Sequence, residues 1–197
     1  CYMGTNIYVG LCVTAKSNVL LNTSTFDHVA VGSSTVVGMP EPMVNASNYT
    51  SSLKITFSGY NRSETLSNFP VLVRLGTNVA RFSDTQFASA SGNDLRFTSA
   101  GSAVEIPYEI NRWDTNGIST VWVQVPALSG TNDAIFAYWG NPGATNAPHY
   151  TTNGAVWLSP ALQSLPPYDL VYHLEQNGFP YFDSTLQHPA TNELAPG

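Results

Sequence analysis

Apolar and polar residues alternate along the middle of this chain with a period of two. In residues 53–60 ("LKITFSGY") Leu53, Ile55 and Phe57 fall on one side, and in residues 69–75 ("FPVLVRL") Phe69, Val71, Val73 and Leu75 do so, with Arg74 opposite. Residues 93–97 ("NDLRF") pair Leu95 with Phe97 and leave Asp94 and Arg96 on the other face. Residues 104–113 ("VEIPYEINRW") put Tyr108 and Ile110 together, opposite Glu109, Asn111 and Trp113. Residues 119–126 ("STVWVQVP") turn Val121, Val123 and Val125 inward and Trp122 and Gln124 outward, and "DAIFAYWGN" (133–141) closes the series. Successive side chains of a strand point to opposite faces, so these assignments follow from spacing. Six short strands separated by Gly/Asn/Ser turns predict an all-β chain centred on an antiparallel β-sandwich of jelly-roll-like form over 51–141. No helical pattern of useful length competes with it.

The flanks differ from the centre. Residues 7–13 ("IYVGLCV") and 26–31 ("FDHVAV") predict two strands, too few to bury a sheet face. Residues 1–31 are therefore expected to be the last strands of a preceding sandwich or strands exchanged with a neighbour. Residues 32–50, with Gly, two prolines and small polar residues, predict a linker. Residues 142–197 predict a loop followed by the opening of another β domain, with one clear strand at "YDLVYHL". The chain starts at Cys1 without an initiator methionine, so it is expected to be processed or excised from something longer.

Composition narrows the setting. Apolar residues make up 43% of the chain and charged residues only 10%, well below the usual quarter or so, while Ser, Thr, Asn and Gly abound. A net charge of −6 with scattered cations argues against nucleic acid and anionic membranes as partners. No apolar run approaches the roughly 18 residues of a membrane span. A polar, weakly charged β protein suits an extracellular setting, on neutral polysaccharide or cell-surface glycan, or against other copies of itself and neighbouring domains. Cys1 and Cys12 are a candidate disulfide, and Asn22, Asn45, Asn48 and Asn61 head candidate N-glycosylation patterns.

Residues 51–141 resemble the bacterial "domain of unknown function 2341" family. The resemblance lies in "KITFSGYNRSETLSNFPVLVRL", "NDLRFTSAG", "IPYEINRWD", "STVWVQVPALSG" and "FAYWGNPGAT", in that order. "VYHLEQNGFPYFDST" is similar to the start of a laminin-G or concanavalin-like lectin sandwich, and residues 8–31 to the last strands of one. The resemblance implies large secreted or surface proteins of bacteria, joined to carbohydrate-recognising or adhesive modules, and brings no catalytic residues.

The candidate site follows from the alternation. If consecutive strands are neighbours, one sheet face carries Trp113 and Trp122 flanked by Asp94, Arg96, Glu109, Asn111 and Gln124. Indoles stack on the C–H face of a pyranose, and planar polar groups bracket its hydroxyls. The structural alternative is a cross-strand ion pair of Arg96 with Asp94 or Glu109, with both indoles covered by a second sheet or a flanking segment. In that case the chain is a structural subunit of a fibre or adhesin. Asp94 and Glu109 are also candidates for the carboxylate pair of a glycoside hydrolase, a minor expectation. His28, His149, His173 and His188 have no metal-binding spacing, and neither metal nor cofactor is expected. His173 is expected to be packed or at the surface, and "DST" at 183–185 to form an Asx turn.

Overall fold

A computed structural model of the chain describes residues 42–157, apart from 78 and 81, together with 168–174 and 182–188. The expected strands at 7–13 and 26–31, Cys1, Cys12 and Asn22 lie outside the described residues. The described residues form six strands: β1 (Ser51–Thr56), β2 (Leu66–Gly76), β3 (Arg96–Ser99), β4 (Tyr108–Arg112), β5 (Ile118–Leu128) and β6 (Ala134–Trp139). All pairings between them are antiparallel, and they form two three-stranded sheets, β1-β6-β3 and β2-β5-β4. The inward residues meet in one core. Phe97, Ile135, Ala137 and Trp139 come from the first sheet, and Val73, Leu75, Tyr108, Val121, Val123 and Val125 from the second. The expected all-β sandwich is the fold.

Two geometric expectations are corrected. Asp94 lies in the turn before β3 rather than in a strand, and β3, which begins at Arg96, does not neighbour the strand of Glu109. Residues 104–106 stay with the first sheet, where Ile106 N–H donates to Phe97 O and Glu105 bridges Thr98. The next residue, Pro107, accepts from Gln124 N–H of the second sheet. The chain thus changes sheet at one dipeptide, and the adjacency rule for consecutive strands fails there.

The second correction concerns Trp113. Ile110 pairs with Val121 but Arg112 pairs with Thr120, so one extra residue is accommodated at Asn111 as a bulge. A bulge reverses the alternation beyond it. Asn111 keeps its amide on Thr120 Oγ1 at 3.2 Å, while Trp113 swings to the core side.

There Trp113 joins an aromatic cluster at the end of the sandwich. Its ring meets Phe87 edge-on at 4.9 Å, Phe87 stacks on Trp139 at 5.6 Å, and Phe82 packs on both. Trp113 Nε1 donates to Ala90 O at 2.9 Å, which satisfies the indole inside an apolar cluster. Gly92 lies under this ring at φ +71°, and a Cβ there would come within 2.7 Å of it.

Described residues just outside the expected limits of the sandwich pack on it. In the stretch expected to be linker, Val44 is buried and its N–H donates to Ala103 O. Beyond the expected boundary at 141, Tyr150 O–H donates to Glu105 at 2.6 Å, and Val156 and Trp157 are buried.

Gly92→Ala is expected to lower stability by about 1–3 kcal/mol, through both the left-handed backbone and the clash with Trp113. Gly59→Ala, where a Cβ meets nothing within 4 Å, is expected to stay within about 0.5 kcal/mol, as surface substitutions do. Denaturant midpoints of the two variants check this, and equal losses would remove the role given to the Gly92–Trp113 seat.

Candidate functional site

The structure divides the expected site residues among three places. Asp94 is fully buried. Its Oδ2 accepts from the N–H groups of Ala88 (3.0 Å), Gly140 (2.7 Å) and Asn141 (3.3 Å), and its Oδ1 from Ser89 N–H (3.0 Å). Four backbone donors from two segments therefore converge on one carboxylate. Arg96, also buried, donates to the carbonyls of Asn93 and Leu95 at 2.7 Å and of Asn146 at 3.3 Å, with Glu105 3.5 Å from its Nε. Trp113 is in the aromatic cluster. These three hold loops and core together and share no face with the rest.

Glu109, Asn111, Trp122 and Gln124 remain together on the outer side of the second sheet. That face is covered by the chain's later residues. Gln124 Nε2 donates to the carbonyls of Ala155 and Val156, across the 3₁₀ turn Ala155–Trp157. Trp122 meets Trp157 edge-on at 5.3 Å and lies parallel to the His173 imidazole at 5.9 Å. Its Nε1 is buried and has no acceptor among the described residues.

Glu109 is the focus of the contact. Its Oε2 accepts from Trp157 Nε1 at 2.7 Å, and its Oε1 accepts from Ser184 Oγ at 2.8 Å and lies 2.8 Å from His173 Nε2. Serine, histidine and carboxylate here do not form a nucleophile relay. In such a relay the hydroxyl bonds to the imidazole and the imidazole to the acid, whereas both groups here point at Glu109.

The covering segments have an order of their own. Tyr172 bridges Asp183, and Ser184 N–H donates to Val171 O. Asp183 accepts from the N–H groups of Val171, Thr185 and His188 and from the Thr185 hydroxyl. The expected Asx turn is present in the bond to Thr185 N–H, two residues on. Burial pushes the Asp183 carboxyl up, but the Thr185 hydroxyl and the three N–H groups more than offset it and hold it down at about 2. Gly154, at φ +75°, lets this segment approach, since a Cβ would come within 2.9 Å of Ser184 O.

Between the second sheet and these segments is an open cleft of about 460 Å3. Glu109, Asn111, Thr151, Thr152, His173 and Ser184 give it polar walls, and Phe182 and Leu186, which are 64% and 61% exposed, give it an apolar rim. Sequence reasoning missed Trp157, His173, Phe182 and Ser184 as parts of this place. They lie 48 to 75 residues from Glu109 along the chain (Trp157 and Ser184 at the two extremes), and no local pattern signals such a pairing. Among the described residues no group of three or more His, Cys, Asp or Glu side chains could hold a metal ion. Asn45, Asn48 and Asn61 are exposed, and Asn45 Oδ1 accepts from Ser47 N–H.

The fold and these contacts define an antiparallel β-sandwich whose second sheet is roofed by the chain that follows it. Residues 91–164 match the profile of the family described as Domain of unknown function (DUF2341). The match covers the four later blocks of the resemblance but not the first, at 54–75, and runs past 141. No curated protein and no solved structure matches the chain.

The Asp183 bonds predict a pH dependence with a definite sign. The carboxyl is held near 2, below its ordinary 3.8, so its contribution is complete above about pH 4 and is lost as the pH falls through 2. Hydrogen exchange at Thr185 and His188 is expected to quicken over that window relative to β5. Asp183→Asn should remove the difference between the two pH values, and an unchanged profile in that variant would assign the acid sensitivity elsewhere.

Proposed function

We propose that the sandwich is a non-catalytic extracellular module, part of a larger secreted or surface protein, that attaches to neutral polysaccharide through the cleft beside Glu109. The observation that carries this reading is the meeting, in one open cleft, of a carboxylate, an amide, an imidazole and hydroxyls with the exposed ring of Phe182. A pyranose presents an apolar C–H face and a rim of hydroxyls, and the cleft offers a partner to each. The volume lies within the ordinary range of about 300–1,000 Å3 for small-ligand sites. Residues 171–185, whose sequence is similar to the start of a lectin-like sandwich, support the same reading, as the beginning of a following domain.

Glycoside hydrolysis fits the geometry poorly. Asp94 is buried and occupied by four N–H donors, and it sits in the turn that leads into β3, a strand of the other sheet from that of Glu109. A second reading, a structural subunit, is favoured by the roof over Trp122 and Glu109: the outer face of the second sheet would then serve chiefly to fix the next segment of chain.

Phe182→Ala is expected to weaken glycan binding by about 0.5–1.5 kcal/mol, the scale of an aromatic contact, and to leave the melting temperature unchanged because the ring is 64% exposed. Trp122→Ala is expected to lower the melting temperature. A glycan array and melting curves on the full chain check both. If the wild type binds no glycan while Trp122→Ala loosens residues 168–188, the structural reading replaces the first.

A further inference from the structure

The dipeptide Asn-Gly occurs three times in the chain, at 116–117, 153–154 and 177–178. The last lies outside the described residues, and the first two sit in opposite surroundings. Asn153 is held in place: its Oδ1 accepts from Ala155 N–H at 3.0 Å, and its Nδ2 lies 3.4 Å from His149 Nδ1. Gly154 is buried, and its carbonyl accepts from Trp157 N–H at 2.9 Å. Asn116, in the turn between β4 and β5, is exposed. Its backbone N–H donates to Asp114 Oδ1 at 3.0 Å, but its side-chain amide bonds to no described residue. The Gly117 N–H reaches Asp114 O only at 3.4 Å, the long end of a hydrogen bond. Position 117 also requires glycine, since a Cβ there would come within 2.6 Å of Asp114 Oδ2.

We propose that Asn116 is a site of spontaneous covalent modification, where the side-chain amide is lost to the neighbouring backbone nitrogen, and that the fold protects the same dipeptide at Asn153. Asparagine is a chemically labile residue, and a following glycine leaves the next backbone nitrogen unshielded by any side chain. The Gly117 nitrogen gives up its proton and attacks Asn116 Cγ. A nitrogen–Cγ bond forms, the Cγ–Nδ2 bond breaks, and the amide nitrogen leaves as ammonia with that proton. Water then opens the resulting succinimide. Breaking the new nitrogen–Cγ bond leaves an aspartate on an ordinary backbone. Breaking the original peptide bond instead leaves an isoaspartate, whose main chain is one atom longer. Either product adds a carboxylate beside Asp114, and the isoaspartate also displaces the N–H that makes the Asx turn at Asp114 Oδ1. At Asn153 the ring can close only after the side chain gives up its bond to Ala155 N–H, next to a glycine that water does not reach. The inference does not depend on the saccharide reading.

The test is peptide mapping by mass spectrometry of the full chain, sampled over time at mildly alkaline pH, beside the same chain unfolded in urea. In urea both dipeptides have the same surroundings, and Asn116 and Asn153 are expected to convert at comparable rates. In the folded chain Asn116 is expected to keep converting, to a mixture of aspartate and isoaspartate, while Asn153 stays intact. An Asn116 that persists in the folded chain while the urea sample converts would overturn the proposal. So would an Asn153 that keeps pace with Asn116 in the folded chain. Hydrogen exchange across 114–117 is expected to be faster in the isoaspartate form than in Asn116→Asp, which has the new charge on an ordinary backbone. Equal exchange in the two would overturn the loss of the turn.

Discussion

The carboxylate of Asp94 is the constraint on which the rest of the sandwich depends. Its four N–H donors come from residues 88–89, which lead toward β3, and from 140–141, where β6 ends. The bonds lock the loop 82–94 against the end of the β6 strand. That loop carries Phe82, Phe87 and Ala90, so it forms the aromatic cluster around Trp139 and the acceptor for Trp113. Removing the carboxylate would leave several buried N–H groups without partners, each costing about 1–3 kcal/mol. A charged group lies within the core because the alternative is a set of orphaned amides.

The same economy of charge governs the outer faces. The Glu105 carboxylate stands beside Arg96 and takes the Tyr150 hydroxyl. Burial, and then the Glu105 carboxylate it bonds to, push the Tyr150 phenol well above its ordinary value. Glu109 takes Trp157, His173 and Ser184. One carboxylate from each sheet thus fastens part of the chain that follows β6. The low charge content of the sequence reads as a solvent-exposed polar surface, yet several of the few charges are internal fasteners. Composition counts residues and is silent about which of them face water.

The strands were legible because each is a run of period-two alternation around β-branched or aromatic residues, as in Val121, Val123 and Val125. Trp139 is core on the same grounds, at 2% exposure. The face of Trp113 was not legible, since a single bulged residue at Asn111 inverts everything after it and no residue type announces that bulge. Nor was the separation of Asp94 and Arg96 from Glu109, because the change of sheet at Ile106–Pro107 is decided by long-range pairing. The partners of Glu109 were the least visible. His173 and the 183–185 turn were each interpretable locally, as a packed histidine and an Asx turn, but their meeting over Trp122 is tertiary.

The bulge and the roof act together on what the second sheet can offer. Without the bulge, Trp113 would stand on the outer face beside Trp122 and leave the aromatic cluster short of one ring. With it, one indole completes the core and the other supports the roof through Trp157 and His173. The outer face then presents no bare aromatic platform, and what remains open is the seam between sheet and roof, where Asn111 and Glu109 meet Phe182 and Ser184. That seam exists only while the roof is in place, and Gly154 helps to seat it, because the missing Cβ leaves room for Ser184 O of the segment that lies over Glu109.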